Sequence, residues 1–178
     1  MCLPTVFQIP SLLILLLLTS HSSPSDLLLV SGGTGLAPIL QALRIALATK
    51  GTDSDEAEGR GGFSSVVLVH SARSKRDLAL LDEIESALTS NAGATPTSVH
   101  IAITSGERDG VEDDTIPARV PFTQSRGRVT EDGLLGRLWQ GKRGMCVVSG
   151  PEGMLQAVGR VALGEMGFAR DQCHLLEA

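Results

Sequence analysis

The chain has 178 residues, 42% of them hydrophobic and 20% charged, enough for one α/β domain with its own core and too few for a second complete one. A formal charge of -5 excludes a general nucleic-acid binder, which needs a clustered surplus of Lys and Arg to neutralise phosphates. Cys2, Cys146 and Cys173 make no CxxC pair and no Cys/His cluster at ligand spacing, which argues against structural zinc or an iron-sulfur cluster.

Residues 1–25 differ from the rest. The stretch "FQIPSLLILLLLT", Phe7 to Thr19, is shorter than the roughly 18 to 25 residues that span a bilayer and matches the apolar region of a signal peptide. No Lys or Arg precedes Arg44, which speaks against a signal. Three readings stand: a cleaved signal, a membrane tether through residues 6–19, or a consequence of where the reading frame was judged to begin. If native, the segment points to a membrane-associated, mitochondrial or secretory protein.

From Asp26 onward, short aliphatic runs alternate with amphipathic stretches, the pattern of stacked βαβ units. Asp26 to Ser31 is the first predicted strand. Pro38 to Thr49 is a helix with Ile39, Leu40, Leu43, Ala46 and Leu47 on one face and Pro38 in its first turn, where no hydrogen bond is lost. A Gly-rich polar stretch follows as a surface loop. Ser65 to Ser71, "SVVLVHS", is a continuous apolar run suited to a strand covered on both faces.

"SKRD", Ser74 to Asp77, has the form of a capping box opening a helix that buries Leu78, Leu81, Ile84 and Leu88. "SVHIAIT" is a third strand, ending at Thr104. Ser105 to Gln124 reads as a long charged loop, of the kind that is functional or disordered. In "GRVTEDGLLGRLW", Thr130 is the expected helix cap, with Glu131 and Asp132 in the first turn. "MCVVSG" is the fourth strand. "PEGMLQAVGRVALGEMG" turns into a helix with Met154, Val158, Val161 and Met166 inward, and "CHLLEA" is the last strand. The count is five strands and four helices.

Two places carry chemistry. In "SGGTGLAP" the cluster Gly32, Gly33, Thr34 and Gly35 stands between an apolar strand and a helix, the context in which backbone N-H groups approach a pyrophosphate. The same residues could simply end a strand, and the pattern GxGxxP, closing on Pro38, departs from the usual dinucleotide fingerprint. "VVSGPEGM" repeats the arrangement at Gly150, and adjacent first and fourth strands would bring both turns to one crevice. His70, His100 and His174 stand in strand contexts without a nucleophile and read as structural. Cys146 and Cys173 likewise read as small buried hydrophobes.

The combination of "GGTGLAP", "ARSKRDLALLDEIE", "GRVT" and "SGPEGM", in that order across residues 26–178, resembles the NAD(P)-binding domain of the ferredoxin-NADP reductase superfamily, which includes the cytochrome b5 reductases and oxygenase reductases. The resemblance implies an open five-stranded parallel sheet of order 3-2-1-4-5 with helices on both faces. It places Gly32 to Gly35 at the pyrophosphate, with Thr34 near the nicotinamide. Gly150, Pro151, Glu152, Gly153 and Met154 would line the nicotinamide side. Ser149 occupies the position next to the hydride path where many relatives have cysteine.

Two cofactors stay open, NADPH or NADH. No acid ends the second strand, whereas Arg73, Lys75 and Arg76 follow it, and Ser105 and Arg108 are similar to a 2'-phosphate pair of NADP-specific relatives at a different spacing. Arg128 could face the adenosine or pair with acidic neighbours such as Glu131. The family's reductases hold FAD in a barrel preceding this domain, using a tyrosine motif, and this chain has no tyrosine. The expectation is therefore the NAD(P)H-binding half of a flavin-dependent oxidoreductase, with FAD held by a partner or missing domain. A non-catalytic dinucleotide-binding or interaction module is the rival. Lack of a GK[ST] motif excludes a P-loop NTPase, and lack of tyrosine disfavours a short-chain dehydrogenase.

Overall fold

Strand β1, Asp26–Gly32, is apolar on both of its faces, and both are covered: Leu27, Leu28, Leu29 and Val30 have no solvent exposure. The computed structural model describes residues 26–48, 63–74, 77–78, 80–90, 95–104, 122–130, 133–140 and 144–177. The readings made for residues 1–25, Lys75, Arg76, Ser105, Arg108, Glu131 and Asp132 lie outside them. Among the described residues no helix is long and apolar enough to cross a membrane.

After β1 the chain runs through a 3-10 turn, Gly33–Gly35, into α1, Leu36–Ala48. Then come β2 (Ser65–Ala72), α2 (Leu81–Ser90), β3 (Thr97–Ile103) and β4 (Phe122–Arg126). Helix α3 (Leu134–Leu138), β5 (Gly144–Gly150), α4 (Glu152–Gly164) and β6 (Cys173–Glu177) complete it. The sheet has the order β4-β3-β2-β1-β5-β6, and every pairing in it is parallel. All strands therefore end on one edge, and order reverses beside β1, between β2 and β5.

The predicted order is kept, with one strand added. β4 lies in and just beyond the stretch read as a loop, and it pairs outside β3, with Val99 opposite Phe122 and Ile103 opposite Arg126. Its sequence, FTQSR, holds one apolar residue because, among the described residues, no strand lies beyond it and much of its surface meets solvent. Edge strands need no continuous apolar run.

The two faces of the sheet carry separate cores. Leu27, Leu29, Val66, Leu68, Met145 and Val147 pack under α1, through Leu36, Ile39, Leu40, Leu43 and Leu47, and under Ile84 and Ala87 of α2. Leu28, Val30, Val69, Cys146 and Val148 pack on the opposite face against Leu155, Val158 and Ala162 of α4 and against Trp139 and Phe168, whose rings lie 5.2 Å apart. Each fully buried Leu contributes about 1.5–3 kcal/mol over an exposed one.

Two predicted helix starts move. Ser74 and Asp77 do bond, the Ser74 hydroxyl and N-H donating to Asp77 Oδ2 at 3.0 and 3.2 Å, but they close a turn with Asp77 N-H on Ser74 O. Leu80, in the left-handed region at φ 61°, separates that turn from α2. Thr130 does not cap α3: the cap position is Gly133, also left-handed at φ 64°, and among the described residues no side chain caps the helix.

Candidate dinucleotide site

The two glycine turns meet at the carboxyl ends of β1 and β5, which pair from Asp26 with Gly144 through Ser31 with Ser149. Their contact is close enough to require glycine. A Cβ on Gly35 would collide with the carbonyl oxygen of Ser149 and lie 2.6 Å from the Gly150 nitrogen; one on Gly150 would lie 3.3 Å from the nitrogen and oxygen of Gly32. A Cβ on Gly32 would overlap the Met154 thioether and lie 3.6 Å from Pro151. Gly32, Gly35, Gly150, Pro151 and Met154 thus form one continuous floor.

Above that floor the turn is open. Gly33 and Thr34 are exposed, and Gly33 takes φ 54° with nothing within 4 Å of the place a Cβ would occupy. Across the floor Glu152 and Gly153 are exposed at the first turn of α4, and Gly153 also faces open space. Helix α1 is 13 residues long with no acidic residue in its first turn, so its positive end is not neutralised locally and suits an anion. Pro38, half-buried, lies in that turn. In α4, Glu152 accepts from Gln156 Nε2 at 3.0 Å.

Ser149 belongs to a buried row. Ser31 pairs with Ser149 on one side and His70 on the other, and Ser31 Oγ and His70 Nδ1 are 2.9 Å apart. Ser149 has no solvent exposure, and its hydroxyl finds no hydrogen-bond partner among the described residues. Strand alternation puts it on the α1 face, with Met145 and Val147. Ser149, expected beside the hydride path, is thus a buried residue at the carboxyl end of β5, one position before Gly150. Burial, partly offset by a hydrogen bond with the Ser31 backbone, lowers the His70 pKa to about 4, so the imidazole is neutral near pH 7, in keeping with a structural role.

Arg73 follows β2 and Arg128 follows β4 by two residues; both are exposed on the carboxyl edge of the sheet. Arg126, the last residue of β4, stands exposed on that same edge. Sequence reasoning missed Arg126 because it missed the strand. The edge is tied together by Thr104 N-H on Ala72 O and Gly127 N-H on Ile103 O, each 2.9 Å. His100, in β3, bonds to β4 through both ring nitrogens, Nδ1 with Thr123 Oγ1 at 2.8 Å and Nε2 with Ser125 Oγ at 2.9 Å.

A family model described as an oxidoreductase NAD-binding domain matches residues 29–160, a span that includes both glycine turns. The chain belongs to this family. Its fold is similar to the cytochrome b5 reductase domain of Ulva prolifera nitrate reductase (TM-score 0.59, 20% identity, 87% of this chain and 51% of that one). It is also similar to the CS-b5R domains of human Ncb5or in the NAD+ form (0.54, 17%, 85% and 36%). Ferredoxin-NADP+ reductase from Plasmodium falciparum shares it as well (0.55, 11%, 87% and 54%). The NAD-binding domain thus spans about a third to a half of these solved chains. No curated protein sequence matches it.

Proposed function

We propose that residues 26–178 are the NAD(P)H-binding half of a flavin-dependent reductase. The reading is carried by the meeting of two glycine turns at the reversal of strand order, where a dinucleotide can cross from one half of the sheet to the other. Gly32, Gly33 and Gly35 bring backbone to the pyrophosphate, and the open end of α1 stabilises its charge. Thr34, Pro151, Glu152, Gly153 and Met154 border the nicotinamide, and Gly150 lets the two turns close. Ser149 acts as a positioning residue under that end.

A bound nicotinamide supplies hydride to a flavin placed against its ring. On this reading the flavin is held by a separate or missing domain, and the solved relatives extend well beyond the part that this chain covers. Arg73, Arg126 and Arg128 form the basic edge nearest the adenosine end, which favours a 2'-phosphate and hence NADPH. Ser105 and Arg108 are assigned to the same end.

Calorimetric titration of the full chain with NADPH and with NADH tests this. One site of 1:1 stoichiometry is expected, tighter for NADPH. Thr34→Glu, at an exposed position between the pyrophosphate glycines and the nicotinamide end, brings a carboxylate toward the dinucleotide's negative charge and should weaken binding by about tenfold or more without unfolding. No binding of either dinucleotide overturns the assignment. Equal affinity for the two removes only the role given to the arginines.

A further inference from the structure

Two thiols face each other at the far side of the sheet. Cys146 of β5 and Cys173 of β6 are direct partners in the parallel ladder, both are free, and both lie on the α4 face, Cys146 fully buried and Cys173 half-buried against the same core. Neighbouring strands are about 4.8 Å apart, inside the 4.4–6.8 Å range of Cα separations that disulfides bridge. Any approach of the two strands that the bond needs falls on β6, which is five residues long and, among the described residues, bonded on one side only.

We propose that Cys146 and Cys173 form a redox-sensitive dithiol that a hydroperoxide converts to a disulfide, fastening β6 to β5. Cys173 is the attacking residue: it is the more accessible, and the hydrogen bond from the Cys146 thiol holds its pKa below the ordinary thiol range, against the opposing effect of burial. The same bond, with burial, pushes the Cys146 thiol well up. Cys146 is the resolving partner.

The Cys173 thiolate attacks one peroxide oxygen, the O-O bond breaks, and the departing hydroxide takes up the thiol proton as water, leaving a sulfenic acid. The Cys146 sulfur then attacks the Cys173 sulfur. The S-O bond breaks and the hydroxide leaves with the Cys146 proton as a second water. Two thiols are oxidised by two electrons, and one hydrogen peroxide is reduced to two waters.

The bond would act at a functional place. Beyond the pair, the ladder continues through Ser149 with Leu176 and Gly150 with Glu177, so β6 flanks the strand end that carries the Gly150 turn.

The test is stoichiometric hydrogen peroxide added to the full chain carrying Cys2→Ser, followed by intact mass and peptide mapping without reductant. The expected product is lighter by two hydrogens, contains a Cys146–Cys173 cross-link, melts at a higher temperature and reverts with dithiothreitol. In Cys146→Ala the cross-link should vanish and Cys173 should be captured by a sulfenic-acid probe. Because that variant changes the core, the cross-link and its reversal are also scored on the unaltered pair. Sulfinic acid at Cys173 without a cross-link, or two unreacted thiols after peroxide, would overturn the proposal.

Discussion

His70 is a titratable group held neutral inside the sheet, and that has a cost at acid pH. Its folded pKa, about 4, is below the ordinary 6.5, so between those values the unfolded chain binds more protons than the folded one. Stability therefore rises with pH through this window. It should be fully present above about pH 6.5 and fall by roughly 3 kcal/mol as the pH approaches 4. His100, whose pKa is lowered by burial and by the charge of Arg137, adds in the same direction. Chemical denaturation of His70→Gln from pH 4 to 7 should give a flatter profile than wild type, and an unchanged slope would remove His70 as its source. Gly35 makes the complementary case at neutral pH. Since any side chain there meets the Ser149 carbonyl, Gly35→Ala should lower the urea midpoint by the equivalent of about 3 kcal/mol. Gly33→Ala, with open space around it, should lose only the left-handed preference of glycine, about 1 kcal/mol. Equal losses would mean that the two turns are not in contact.

The central strands and the half-exposed edge strand β6 were legible in the sequence, and the edge strand β4 was not. β1, β2 and β5 are unbroken apolar runs because α1 and α2 lie over one face and α4 over the other, and α1 shows its buried stripe at helical spacing for the same reason. β4 offers no such signal. It owes its place to backbone pairing and to the His100 ring, whose two nitrogens reach Thr123 and Ser125, a contact between residues of different strands that no local pattern records. The start of α2 was misread because Ser74 and Asp77 make the local bonds of a cap while Leu80, in a left-handed conformation rare for leucine, breaks the helix after them. The glycine turns were legible as turns, but only the β1–β5 register shows that they touch. The role of His100 can be measured at this scale. Thr123→Val with Ser125→Ala should speed amide exchange across β4 by about tenfold, leaving β1 and β5 protected, since edge elements open independently of the core. Unchanged β4 protection would mean that the ladder to β3 suffices.

Taken whole, the molecule brings both glycine turns to one edge of its sheet, the carboxyl ends of β1 and β5. Gly33, Thr34, Pro151, Glu152 and Gly153 are exposed on that edge, whereas Ser149, beside Gly150 in β5, is buried. A hydride acceptor must sit within about 3–3.5 Å of the donor carbon. On the reading proposed above, that acceptor is a flavin held by another domain. Mixed with NADPH and ferricyanide, the chain alone should oxidise NADPH at the background rate, and a flavin-loaded barrel domain from a cytochrome b5 reductase should raise that rate in a saturable manner. Thr34→Glu should abolish the increase, and in it the flavin domain should retain its absorbance. Turnover by the chain without flavin would place the acceptor within it and end the half-reductase reading. Dinucleotide binding with no rate from any flavin domain tested would instead favour a module that binds NAD(P)H without reacting, for which the burial of Ser149 is the structural counterpart.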